Sequence, residues 1–233
     1  MKFSSLRFLV IPLAAVLLAP MTAVATTIDF STLGAGDTGS STYVDPGTGL
    51  TVTGLAKDDA TWDPANLYVR NQTNDHGFGI CNPTEAPCPG PSGGGDINEL
   101  DNNGAQELIR LTLPGGYEWV SVQLSSLDEN DGGSPEFGQL WADLNGDPSS
   151  FNTLLWQFEG NDMDVEPSFL IPGSAATAPY LFFQPFDWKT DRNTNNDFLV
   201  YGVTIRQTRV PEPVTIGVLG IGLVALRLLR RKR

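Results

Sequence analysis

Between residues 26 and 209 the apolar side chains come in short runs. Many alternate with polar neighbours, and none keep the three- and four-residue spacing of an amphipathic helix. The runs are rich in β-branched and aromatic residues, and clusters of Gly, Pro, Asn and Asp separate them. The pattern predicts strands over Thr27–Phe30, Leu50–Leu55, Leu67–Arg70, Glu107–Leu113, Glu118–Leu124, Gly138–Asp143, Thr153–Phe158, Ser168–Ile171, Tyr180–Gln184 and Phe198–Gln207. Two show the period of 2 most clearly. Val120, Val122 and Leu124 share a face opposite Ser121 and Gln123; Leu199, Tyr201, Val203 and Ile205 share one opposite Thr204 and Arg206. One dry and one wet face per strand is the mark of antiparallel sheets. The expected fold is all-β: two packed antiparallel sheets in a jelly-roll-like sandwich. Turn signals at Asp45-Pro46-Gly47, Pro114-Gly115-Gly116, Asp131-Gly132-Gly133 and Asn145-Gly146 fall between the expected strands.

The two ends break this pattern. Residues 1–25 carry Lys2 and Arg7, an apolar run from Phe8 to Leu18, and then Ala23-Val24-Ala25. A basic start, a short apolar run and a small-x-small site make a secretory signal peptide, with cleavage expected between Ala25 and Thr26. At the other end Pro211-Glu212-Pro213 is followed by an uncharged stretch, Val214–Leu226, then by Arg227, Leu228, Leu229 and the basic cluster Arg230, Arg231, Lys232 and Arg233. Sixteen residues to Leu229 reach about 24 Å as a helix, against a hydrocarbon core of about 30 Å. This reads as a short single transmembrane helix, with Arg227 snorkelling and the basic residues staying on the cytoplasmic side. Both ends then place the middle outside the cytoplasm. The organisation is a signal peptide at 1–25, an exported domain at 26–209 and a membrane segment at 210–233.

The tail residues Pro211, Glu212 and Pro213, the glycine-containing apolar helix and the terminal Arg-Arg-Lys-Arg resemble the PEP-CTERM sorting segment of exported Gram-negative proteins. The resemblance covers about 24 residues. It implies handling by an exosortase, a membrane-embedded enzyme similar to a cysteine transpeptidase. Arg227 departs from the pattern by breaking the apolar run early. The physical features suit the role: two prolines cannot join a regular helix and keep Glu212 extended beside the membrane. An ordinary single-pass anchor with a proline-rich stalk is the competing reading.

Charge excludes one class of partner. The whole chain has a formal net charge of −13. Residues 26–209 hold 26 acidic and 7 basic residues, a formal −19, which argues against nucleic acid. With His76 the single histidine, a Ser-His-Asp triad or a multi-histidine metal site is not expected. No nucleophile-elbow, HExxH or P-loop signature is present, so the chain is read as non-enzymatic. A two-carboxylate glycosidase stays as a distant alternative.

Cys81 and Cys88 are the only cysteines and flank a Pro-rich loop. In an exported domain they suggest a disulfide; a zinc site with His76 is the rival. Calcium is the one cofactor suggested. Asp143, Asn145 and Asp147 put oxygens at positions 1, 3 and 5, resembling the start of a calcium loop. Against it stand Pro148 where Gly is wanted and Leu154 where the closing acid belongs; a hairpin turn at Asn145-Gly146 explains the same residues. Asp96, Glu99 and Asp101 form a second calcium candidate and Asp128, Glu129 and Asp131 a third, with a solvated acidic loop the default for each.

The stretch Asp75-His76-Gly77-Phe78-Gly79-Ile80, then Gly95-Asp96-Ile97-Asn98-Glu99-Leu100-Asp101-Asn102, then Glu107–Leu111 is similar to a pattern in exported PEP-CTERM sandwich proteins. It implies a lectin-like or carbohydrate-module-like sandwich and assigns no activity. Two functions are expected. The first is an exported cell-surface or extracellular-matrix protein, anchored in the inner membrane before exosortase sorting and associated with extracellular polysaccharide. The second is a carbohydrate-binding module using exposed aromatics among Trp62, Trp119, Trp141, Trp156 and Trp188.

Overall fold

Asp197–Gln207 forms the strand on which the first sheet is organised, here called β16. Three strands pair with it in succession. β8 (Leu100–Asp101) meets Asp197 and Phe198, β7 (His76–Cys81) meets Val200, and β1 (Ala25–Asp29) meets Gly202 to Arg206. β10 (Tyr117–Leu127) is also its neighbour and carries β13 (Met163–Val165) and β14 (Phe169–Leu170). Beyond β7 lie β6 (Asn66–Asn71) and β2 (Gly36–Asp37). The second sheet runs β12 (Thr153–Glu159), β11 (Phe137–Asp143), β15 (Tyr180–Pro185), β9 (Gln106–Thr112), β4 (Thr51–Lys57) and β3 (Thr42–Val44), with β5 (Asp63–Pro64) on β4. This is an all-β fold of two antiparallel sheets.

The computed structural model describes residues 23–57, 61–72, 75–81, 99–102, 105–128, 135–161, 163–186 and 196–208. One compact unit spans Ala25–Arg206; a second, of Met1–Val24 and Gln207–Arg233, falls almost wholly outside the described residues. Residues 1–22 of the leader, Cys88, Trp188, Asp96, Glu129, Asp131 and the tail from Pro211 to Arg233 lie outside them as well. Among the described residues no helix is long and apolar enough to cross a membrane.

One main core fills the space between the sheets. Val69, Phe78, Ile80, Val122 and Phe198 come from the first sheet; Val52, Ile109, Leu111, Leu140, Leu181 and Phe183 come from the second. All ten strands expected from the alternation are present, with ends shifted by a residue or two or, at Leu127, three. Three local expectations need correction. Phe30 belongs to a single 3₁₀ turn, Phe30–Thr32, because the Asp29 carboxylate caps Ser31 through its N–H (2.9 Å) and hydroxyl (2.6 Å) and bends the chain.

In β10, Val120 is only half-buried while Trp119 is buried. The segment 172–178 closes over the indole: Trp119 Nε1 donates to the Ala178 carbonyl (2.7 Å) and its backbone N–H to Ala176 (2.7 Å). In β16 the core side chains are Phe198 and Val200, then Val203 and Ile205. The inward face therefore switches near Tyr201, where the strand changes partner from β7 to β1.

Candidate functional site

The second sheet carries apolar side chains on both faces. Cross-strand register puts Gln139, Trp141 and Asp143 of β11 beside Gln184, Phe182 and Tyr180 of β15. It continues to Arg110 and Leu108 of β9 and to Leu55 of β4. The alternate positions of the same strands fill the main core, so this row faces outward. Leu55, Leu108 and Phe182 are nevertheless buried there, under a second cluster formed with Trp62, Trp141, Phe151 and Tyr180. Phe151 comes from the loop between β11 and β12. Its ring stacks on Trp141 at 5.3 Å and leans on Phe182 at 5.2 Å.

Polar groups are set among these rings. Gln139 Oε1 accepts from Trp141 Nε1 (3.1 Å) and from Gln184 Nε2 (3.1 Å). The Arg110 guanidinium lies 5.7 Å from the centre of the Tyr180 ring, and Nη1 donates to the Gly146 carbonyl (3.1 Å). The Lys57 ammonium lies 5.8 Å from the Trp62 ring centre. Half-buried rings, amides and cations thus stand side by side on this face.

The remaining tryptophans divide between core and edge. Trp119 is a core residue. Trp156 is 39 % exposed on β12, packs near Phe169 (5.9 Å) and donates from Nε1 to the Leu170 carbonyl (3.3 Å). Trp188 lies outside the described residues. Only Trp62 and Trp141, among those described, are brought to one cluster.

The loop holding Asp143, Asn145 and Asp147 uses its oxygens on its own backbone. Asp143 Oδ2 accepts from the N–H groups of Asn145 (3.0 Å) and Gly146 (2.6 Å). Asn145 Oδ1 accepts from Asp147 (2.8 Å), and Asp147 Oδ1 from Ser149 (2.8 Å). Gly146 has φ +73°, and a Cβ there would stand 2.8 Å from the Tyr180 ring. The hairpin reading accounts for these contacts, and among the described residues no group of three or more His, Cys, Asp or Glu could hold a metal ion. Asp143 Oδ1 is buried without a hydrogen-bond partner.

His76 and Cys81 stand at opposite ends of β7. Five steps at about 3.3 Å put them roughly 17 Å apart, too far to share a zinc ion. His76 Nδ1 instead pairs with Asn71 Oδ1 (3.1 Å). Cys81 is buried, and the described residues contain no free cysteine.

The expectation of solvated acidic loops fails for Glu99 and Asp101, which are both 3 % exposed. Glu99 is ion-paired with Arg70, whose Nη2 also lies 2.8 Å from Asp75 Oδ2. Asp101 is drawn inside by the pairing of β8 with β16. Glu136, missed by the sequence reading, is 1 % exposed. Burial and then a hydrogen bond with Asp197 push its carboxyl up to about 11.

Elsewhere a cleft of about 480 Å³ opens beside β1, with Tyr43, Tyr117, Asp29 and Asp45 in its walls. Both carboxylates are engaged locally: Asp45 Oδ2 caps Thr48 (2.8 Å to its N–H), and Asp29 Oδ1 caps Ser31. No protein-family model matches the chain, and no curated protein or solved structure does either.

Proposed function

We propose that the chain is an exported, non-catalytic protein of the cell surface or extracellular matrix. The leader at 1–25 delivers it, the segment at 210–233 holds it in the inner membrane, and an exosortase sorts it at Pro211-Glu212-Pro213. One structural observation supports this reading: Thr26, the first residue after the leader, is the cross-strand partner of Ile205 in β16. The start of the exported body and the strand that runs on toward the tail thus lie at the same end of one strand pair. The expected cut between Ala25 and Thr26 falls inside β1, where Thr26 pairs with Ile205.

Deleting residues 211–233 should release or misroute the protein, and sequencing of the exported form should begin at Thr26. Unchanged surface retention of the truncated protein would defeat the proposal. The buried Cys81, with no free thiol among the described residues, supports a bridge to Cys88 inside the same exported, jelly-roll-like body. An eight-residue loop of this kind is worth roughly 2.5 kcal/mol in chain entropy. Mass spectrometry of the exported protein should find both thiols oxidised.

A second reading is favoured by the clustering of Trp62 and Trp141 on the outer face of the second sheet. In it the sandwich contacts carbohydrate of the envelope or matrix through that face, without calcium at Asp143, Asn145 and Asp147. A glycan array probed with the protein should give binding that Trp141→Ala removes.

A further inference from the structure

We propose that the outer face of the second sheet binds an acidic polysaccharide, with Arg110 and Lys57 receiving carboxylates of the sugar chain and Trp62 and Trp141 lying against its rings. The inference rests on the carbohydrate reading of this face and adds the charge class of the ligand.

The compact unit from Ala25 to Arg206 describes four cationic side chains: Lys57, Arg70, Arg110 and Arg206. Two are neutralised within the protein. Arg70 bridges Asp75 and Glu99, and Arg206 Nη2 lies 2.6 Å from Glu118 Oε1. The other two form no ion pair with a described carboxylate, and each lies over an aromatic ring instead. Both stand on the outward row of the second sheet, Lys57 following Leu55 on β4 and Arg110 across β15 from Trp141. In a region of formal charge −19 a cation would ordinarily find an acid nearby. Here acids are plentiful, yet the two cations without an ion pair among the described residues share a single aromatic face.

Arg110 Nη1 is used by the Gly146 carbonyl and Nε is buried, which leaves Nη2 as the donor that meets a ligand. A guanidinium held on that carbonyl beside the Tyr180 ring offers a fixed positive charge to a carboxylate. Asp143 shares the face, and its Oδ2 is held by the Asn145 and Gly146 N–H groups. The amides of Gln139 and Gln184 supply the neutral groups that sugar hydroxyls need. A nucleic acid fits less well. It carries one charge per about 1.7 Å of axis, and most of those charges would face the negative remainder of the domain.

The test uses the full chain in detergent, titrated with oligogalacturonate and alginate, their carboxyl-reduced forms, dextran and polyglutamate. Binding to the uronate chains is expected. It should weaken at least about tenfold on carboxyl reduction, and by a similar factor in Arg110→Met. Thermal unfolding of Arg110→Met checks its fold, and the reduced polymer gives the same answer without any variant. Equal affinity for native and reduced polymers would overturn the charge assignment while leaving the carbohydrate reading. Binding to no glycan would overturn both. Equal binding to polyglutamate would overturn the sugar assignment.

Discussion

Glu136 and Asp197 are joined by a hydrogen bond between their carboxyl groups, inside the sandwich where both are at most 5 % exposed. Two carboxylates cannot make that bond without a proton. Burial of Glu136 and the charge of Asp197 both favour the neutral acid, while the Asp128 N–H (2.6 Å to Glu136 Oε2) favours the anion. Burial wins, and the carboxyl of Glu136 is raised from 4.5 to about 11.

The sign of the pH effect follows. Between those values the folded protein holds a proton that the unfolded chain releases, so stability falls as pH rises. The contribution is fully present below about pH 4.5 and is lost as pH climbs toward about 11. Urea midpoints measured from pH 5 to pH 9 should decline less in Glu136→Gln than in the native protein. Superimposable pH profiles for the two proteins would contradict this.

Arg70 carries the opposite lesson. Its side chain is 8 % exposed and serves Asp75 and Glu99 together. Arg70→Met would leave Glu99 as a buried charge without a partner, at a cost of about 3–5 kcal/mol. Adding Glu99→Gln to that variant should recover part of the loss, because the stranded charge is gone. Denaturant unfolding of the two variants tests this; equal stability would mean that Glu99 is solvated after all.

Position alone should separate the tryptophans. Trp119→Ala opens a cavity in the main core and should cost about 3–5 kcal/mol. Trp156→Ala, on a partly exposed edge, should cost under about 2 kcal/mol. Thermal midpoints should rank the variants in that order.

Gly146 closes the β11–β12 loop over Tyr180 in a left-handed conformation, φ +73°. Gly146→Ala should destabilise by at least about 1 kcal/mol, from backbone strain before any contact with the ring. Gly115→Ala, where a Cβ meets nothing within 4 Å, should be neutral or slightly stabilising. Equal midpoints for the two variants would show that the loop relaxes freely.

The alternating runs were legible because each had enough β-branched and aromatic residues to show a period of 2. β7 was not read as a strand although Phe78 and Ile80 alternate in it, since glycines occupy the other places. Those glycines follow from packing: at Gly77, φ +131°, any Cβ would strike the Val200 carbonyl of β16. Strands of two or three residues, such as β2, β5 and β8, are too short to carry a period. The buried acids were missed for a different reason. Glu99 resembles a solvated loop residue until Arg70, 29 positions earlier, is placed beside it.

By itself the sequence determined the all-β class and most of the strands, because side-chain alternation is a local consequence of the pleat. It also supplied the expectation of export, carried by the composition of the two ends. Tertiary structure decided which faces are covered, which tryptophans are core and which cations are left unpaired. Alternation distinguishes two faces of a strand but cannot say what lies against either. That depends on pairings between distant residues, such as Ala25 with Arg206, which no local pattern encodes.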